Sequence, residues 1–523
     1  MAFAGCTGGD DADSTDEGTT TSEEVGETTE DSPTKLSISQ KKAPIEFDPA
    51  KSNDVPSLQV VQRVHESLYT FDDATGIQPK MTTGEPEVSK EGTRWVVELR
   101  DDIAFQNGDP VTAEDVKYSY TVPVEEETDN AGEFEMIDSI NIVDDRTVQF
   151  DLANPFAPFK TKLAWQVSPK SVREEDKQSF NKGGTVGAGP YKLSDWEENE
   201  YVKLTRWEDY WDPQPDVDEL ELVPVKEATT RMTTLKNDTH DVVQGVPPDL
   251  YSSIEDIEDA TIEEELGLGY YYLAFNCAEG PTSDPTVREA IDYSFSMDQA
   301  VENYIEPAGN RLYAPVPQAI SETWDFPTDE WEQIPHEKDI EKAEELFDEA
   351  GISRDYEWKI ITPPDEKREQ IGISVSNGLK AAGFSTVSVE RLEWGTFNET
   401  YNTGNESDYN MYTLGWLDEF DPHQFLYFLF HESQETVTNG VFYDNPDLME
   451  DLEEAGKLVD KDERNQLYTD VITTVLEDRV HLPAYNLKNT MGVQDHVNDL
   501  QAHTVSQMNP RMISSYNNVS VDK

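Results

Sequence analysis

The run Ile360-Ile361-Thr362-Pro363-Pro364-Asp365 leads into Lys367 to Ala382, and Gly383 and Val387-Ser388-Val389 follow. Ile360-Ile361 and Val387 to Val389 read as strands. Between them apolar residues recur at helical spacing, and Gly383 supplies the stop. Strand, helix and strand in that order predict a βαβ unit with parallel pairing. Upstream, Glu337 to Ala350 reads as an amphipathic helix closed by Gly351. Asp284-Pro285 is a helix start, followed by Val287, Ile291, Phe295 and Val301 on one side. Downstream, Tyr409 to Leu414 reads as a strand, and Leu448 to Val459 and Glu463 to Leu476 as helices. Residues 270–482 are therefore expected to form one α/β lobe.

The loop after the Tyr409 strand, Leu414-Gly415-Trp416-Leu417-Asp418-Glu419-Phe420-Asp421-Pro422-His423, is dense in chemistry. It holds a tryptophan, three carboxylates and a histidine within eight residues. Asp421-Pro422 predicts a helix cap, with the helix running from Gln424 to Phe430. A strand-to-helix loop is also a usual place for binding residues in an α/β domain.

At 523 residues the chain exceeds one core, so two or three structural units are expected. Forty basic residues against 109 acidic ones give a net charge of −69, spread along the whole length. That balance excludes a nucleic-acid partner, which needs a basic footprint. It suits a protein of high salt, where counterions screen surface carboxylates, as in an extreme halophile. Aromatics at 10% still permit a core despite a mean hydropathy of −0.69. No apolar run approaches the ~18 residues of a membrane helix.

Residues 1–35 begin Met-Ala-Phe-Ala-Gly-Cys and continue almost without apolar residues, the composition of a disordered acidic tether. Phe3-Ala4-Gly5-Cys6 resembles a lipobox, whose cysteine becomes a lipid anchor, although the charged and apolar regions of a signal peptide do not precede it. Cys277, the only other cysteine, is expected to be a buried apolar residue.

Leu58 to Tyr69 reads as an amphipathic helix, and Trp95 to Leu99 and Thr147 to Leu152 as strands. Asn107-Gly108-Asp109-Pro110 is a turn, and Thr112 with Asp115 a helix-capping pattern. The run Leu99-Arg100-Asp101-Asp102 through Val116 resembles the signature of the extracellular solute-binding proteins of family 5, the peptide- and nickel-type receptors of ABC importers. Further blocks are similar, in the family's order. They are Gly187-Ala188-Gly189-Pro190-Tyr191 with Trp196 and Asp209-Tyr210-Trp211, then Tyr271 to Asn276 with Asp284 and Arg288, then Asp444-Asn445-Pro446 with Glu463-Arg464 and Leu482-Pro483.

The resemblance implies a two-lobed, periplasmic-binding-protein-like clamp of type II (cluster C) with an extra N-terminal subdomain. Lobe I would comprise 36–52, 186–266 and 486–523, the subdomain 53–185, and lobe II 270–482. The hinge would lie near Gly267–Tyr270 and Ala484–Lys488. The implied function is an extracytoplasmic, cell-surface binding component of an ABC importer. It would be a monomer held to the outer face of the membrane through Cys6, without a cofactor, and would deliver a peptide-like or amine-bearing solute to permease and ATPase subunits. A metal-chelate receptor of the same family and a sensor without transport are the alternatives.

Catalytic signatures are missing: there is no Gly-x-Ser-x-Gly, His-Glu-x-x-His, P-loop or Cys-x-x-Cys. No enzyme is expected. The family places ligand contacts in the 414–423 loop, which makes Trp416, Asp418, Glu419 and Phe420 the candidate ligand residues. Peptide binders carry an Asp three residues after the Trp, where this chain has Glu419 preceded by Asp418. The arginine that reads a peptide carboxylate in dipeptide-type members would fall near Thr362-Pro363, where none occurs, and Arg368 is expected on the helix surface. His423 and His431 are the metal candidates, weighed against a reading as ordinary surface residues. Asn237, Asn398, Asn405 and Asn518 head Asn-x-Ser/Thr sequons.

Overall fold

The computed structural model of the chain describes residues 33–522; Cys6 and most of the expected tether lie outside the described residues. The βαβ unit forms from Glu357–Thr362, Glu366–Ala381 and Thr386–Arg391, with Ile360 opposite Val389 in parallel register. Asp365 caps the helix by accepting the N–H of Arg368, and Gly383 follows its end at a φ of +93°.

Next in the sheet lies Met411–Leu417, parallel to Glu357–Thr362 and antiparallel to Gly269–Phe275. Its residues differ from the expected Tyr409–Leu414, and the partner strand gives the reason. Tyr270 and Gly269 pair with Trp416 and Leu417, so the ladder continues past Leu414. Gly415 permits the continuation, because a Cβ there would lie 2.5 Å from the Tyr271 ring. Gly269–Phe275 is buried at every position. Tyr270, Tyr272 and Ala274 face one core, and Tyr271, Leu273 and Phe275 face the other.

One long strand, His481–Gln494, belongs to both halves of the molecule. Its first half pairs with Gly269–Phe275 and Gly309–Arg311, and its second half with Ala260–Leu266 and Val242–Gln244. Beyond these, Lys35–Gln40 lies parallel to both Val242–Gln244 and Glu219–Pro224, and an antiparallel pair, Tyr191–Glu197 and Tyr201–Arg206, completes that half. The architecture is two-lobed α/β. At the crossing the Gly267 N–H donates to the Leu487 carbonyl at 2.8 Å, and the Asn486 side-chain amide donates to the Gly267 carbonyl at 2.8 Å.

A separate four-stranded sheet, in the order Glu87–Ser89, Arg94–Glu98, Thr147–Leu152 and Ile137–Asp144, is covered by the helix Ala113–Glu125. Thr112 and Asp115 form the expected capping box. The predicted Leu58–Tyr69 helix instead spans Val55–Val64, because Gly187-Ala188-Gly189 packs onto its end. A Cβ on Gly187 would lie 2.0 Å from the Val64 carbonyl oxygen, and the Gly189 N–H donates to that same oxygen at 2.9 Å. These glycines serve close backbone approach as well as a turn.

A buried network joins this sheet's helix to the loop after Lys35–Gln40. Arg173, fully buried, donates from Nε to both Asp48 carboxylate oxygens at 3.0 and 2.9 Å and from Nη1 to the Tyr118 hydroxyl at 2.7 Å. It also pairs with Glu126, whose carboxyl it holds down at about 2. Replacing Arg173 by Leu leaves the Asp48 charge buried without its partner and is expected to cost about 3–5 kcal/mol. Denaturant unfolding at constant salt checks this, and an unchanged midpoint would contradict it.

Candidate functional site

Glu357–Thr362, Thr386–Arg391 and Met411–Leu417 run parallel, so the loops after them gather at one edge of the sheet. Ligands of open α/β sheets bind outside such carboxyl ends. The loops bring Arg368, Trp394 and Asp418 to that edge, and Trp394 is 49% exposed.

Trp416 is the last strand residue but one, half-buried, with its ring 5.7 Å from that of Phe428. Its Nε1–H is buried and has no hydrogen-bond partner among the described residues. An unpaired buried donor on a loop at the carboxyl end of a sheet is a candidate place for a ligand acceptor. Asp418 has a φ of +62°, held by its N–H donating to the Leu268 carbonyl at 2.9 Å. Its side chain reaches solvent, yet the surrounding protein crowds it enough for desolvation to push its carboxyl up. The same effect is larger at Glu419, which burial pushes up to about 8. Lys162 opposes that shift, and Glu133, Asp418 and Asp421 add to it. Glu419 accepts a hydrogen bond from the Gln424 side-chain amide. Phe420 turns the other way and packs its ring 4.5 Å from Phe71.

Asp421 is the predicted cap, accepting the His423 N–H at 2.9 Å. It is also one half of a nearly buried ion pair with Arg464 at 2.6 Å. His423 and His431 are not surface residues: both are buried, one on each side of the Tyr427 ring, at 5.0 and 4.2 Å between centroids. They occupy successive turns of one helix face, so the tyrosine separates them. Among the described residues, Asp238, Asp241 and His496 place potential ligand atoms within 4.8 Å of one another. Asp241 there accepts the Ser37 N–H and hydroxyl, both at 2.7 Å, which gives it a structural task beside the strand Lys35–Gln40.

Arg368 differs most from its expected place. Its guanidinium carbon lies 5.3 Å from the Tyr271 ring centroid, and its buried Nε, 3.8 Å from the Asp365 carboxylate, makes no hydrogen bond among the described residues. Tyr271 in turn stacks on Tyr485, with centroids 4.6 Å apart and planes at 9°. The cause is helix geometry: first-turn side chains lean back toward the N-terminus, which here carries Arg368 to the strand edge. Tyr271, Tyr485 and Trp394 were invisible as site residues because strand and loop spacing alone does not reveal which side chains meet. From the other half, His503 Nε2 and Arg511 Nη1 lie 2.9 and 2.6 Å from the Asp72 carbonyl oxygen, a convergence of residues more than 400 apart in sequence.

The profile of the bacterial extracellular solute-binding proteins, family 5 (middle region), matches residues 76–436. The oligopeptide-binding protein AppA of Bacillus subtilis is 23% identical over 485 residues, 88% of this chain and 87% of that protein. Its structure in complex with a nonapeptide has a TM-score of 0.68 at 21% identity, covering 94% of this chain and 100% of that one. HbpA2 from Haemophilus parasuis reaches a TM-score of 0.82 at 21% identity, with 94% and 100% coverage. The murein tripeptide binding protein MppA, in its unliganded open form, reaches 0.79 at 21% identity, with 94% and 97% coverage.

The raised Glu419 carboxyl carries a pH signature. The folded chain keeps this proton up to about pH 8, while the unfolded chain releases it near its ordinary 4.5. The folded state therefore binds more protons across that window, and the residue's contribution to stability falls as pH rises through it. Glu419→Gln is expected to unfold later than the unaltered chain by a margin that grows between about pH 5 and about pH 9. A margin independent of pH would contradict the assignment.

Proposed function

The chain belongs to the bacterial extracellular solute-binding proteins of family 5, and from that premise we propose that it captures a peptide-like or amine-bearing solute between its lobes and passes it to an ABC importer. The lobes would divide as 36–52, 186–266 and 486–523 against 270–482, with 53–185 as the extra subdomain. Cys6 would supply the lipid that holds the protein at the outer face of the membrane, and the acidic surface would suit high salt.

The observation that carries this reading is the chemistry left unsatisfied on one loop. Among the described residues Trp416 presents a buried N–H without an acceptor, while Asp418 and Glu419 are carboxyls crowded by protein and without an ion-pair partner. An arriving ammonium would supply the missing counter-charge, and it would draw the proton off Glu419 as it bound. Arg368, at the same strand edge, offers a guanidinium for the opposite end of a zwitterionic ligand. AppA, named for oligopeptide binding, agrees with a ligand of that kind. The buried His423 and His431, kept apart by Tyr427, do not favour a metal chelate.

Native mass spectrometry of protein purified from its host identifies the captured ligand. A primary-amine or peptide mass is expected, and a metal chelate in its place would overturn the reading. With that ligand in hand, Asp418→Asn combined with Glu419→Gln is expected to weaken binding by roughly 100-fold, or about 2.7 kcal/mol, with the fold retained. Unchanged affinity in the double variant would remove the site from this loop.

A further inference from the structure

A cavity of about 430 Å³ lies where the four-stranded sheet meets the second lobe, and it shares only Phe420 and Asp421 with the ligand loop. Its size is that of a small-molecule site. Trp95 borders it from the sheet side, and Trp324 and Phe420 from the lobe side. The Trp95 indole N–H is already used by the Gly92 carbonyl at 2.9 Å, so what this residue offers is a ring face.

Arg464 also lines the cavity, with its side chain only 6% exposed. Nη2 reaches Asp421 at 2.6 Å and the Tyr468 hydroxyl at 2.7 Å, and Nε reaches the Ala455 carbonyl at 3.1 Å. Among the described residues Nη1 makes no hydrogen bond, and the guanidinium carbon lies 4.9 Å from the Trp324 ring centroid. Lys160, paired with Glu85 at 2.7 Å, and Lys461, donating to the Thr323 carbonyl at 2.7 Å, border the same space. Three cations thus face two carboxylates, Glu85 and Asp421, in a chain that has 40 basic residues to 109 acidic ones. This is a local reversal of the overall charge.

We propose that this cavity is a second binding site, for an aromatic carboxylate. The ring would lie among Trp95, Trp324 and Phe420, where offset and edge contacts are favourable. The carboxylate would accept from Arg464 Nη1, with the rim lysines adding attraction that salt screens only in part at a semi-enclosed site. Because its walls come from the four-stranded sheet on one side and the second lobe on the other, an occupant would bridge the two. The proposal goes beyond the cleft reading and does not depend on what the cleft carries.

Calorimetric titration of the full chain in high salt with phenylacetate, and with neutral phenylacetamide, tests it. Phenylacetate is expected to saturate one site, with phenylacetamide at least tenfold weaker. Val88→Trp, which fills the cavity from the sheet side, is expected to weaken phenylacetate at least tenfold, whereas Trp416→Ala in the cleft leaves it unchanged. Absence of saturable binding, equal affinity for acid and amide, or loss of binding in Trp416→Ala with retention in Val88→Trp would each overturn the proposal. The acid-against-amide comparison uses the unaltered chain, so it holds even if a variant folds poorly.

Discussion

A single strand, His481–Gln494, is hydrogen-bonded into both halves of the molecule, and the placement of the remaining elements depends on it. A strand has one twist and one register, so the sheet halves on either side of Leu487 and Lys488 are fixed to each other by its backbone. The second crossing, through Gly267, is tied to the first by the Leu487 carbonyl and the Asn486 amide. In the clamp reading proposed above, motion between the lobes would be a bend at these two adjacent segments. The loop with Asp418 is tied to the same place, since its N–H donates to Leu268. In that reading closure and ligand contact would share one mechanical origin.

Charge is the second constraint. Most of the described acidic residues sit at the surface, where salt screens them. Where carboxylates are buried for structure they have partners: Asp48 pairs with Arg173, Asp421 with Arg464 and Asp292 with Arg479, while Asp241 is held by Ser37 and His496. Among the described residues Asp418 and Glu419 are crowded without an ion-pair partner, and they are adjacent on one loop. Desolvation without compensation is unfavourable in the free protein, and the cationic ligand proposed above would relieve it.

The sequence was most legible where one residue dictates local geometry. Asp284, Asp421 and Thr112 announced helix starts, Gly383 announced a helix end, and the βαβ periodicity announced parallel strands; all appear in the structure. Strand ends were less legible, because Trp416 joins the ladder through a partner nearly 150 residues away, Tyr270. Helix ends set by tertiary contact were equally hidden, as at Val64 under Gly187. The loop bearing Trp416, Asp418 and Glu419 could be singled out from its composition. Arg368 was misjudged, because its direction depends on the helix leaning over Tyr271 rather than on spacing. His423 and His431 were misjudged for the same reason: a mostly apolar helix, Pro422–Phe430, is packed on several sides, and no spacing rule exposes its histidines.

The central claim is a clamp hinged at Gly267 and Leu487 that closes on a ligand held by the Trp416–Glu419 loop. Small-angle X-ray scattering in high salt, with and without a saturating mixture of short peptides, tests it most directly. The account predicts a smaller radius of gyration in the presence of the peptides, and no such change when Asp418 and Glu419 are replaced by Asn and Gln. An unchanged radius in the unaltered chain, or equal contraction in both proteins, would contradict it.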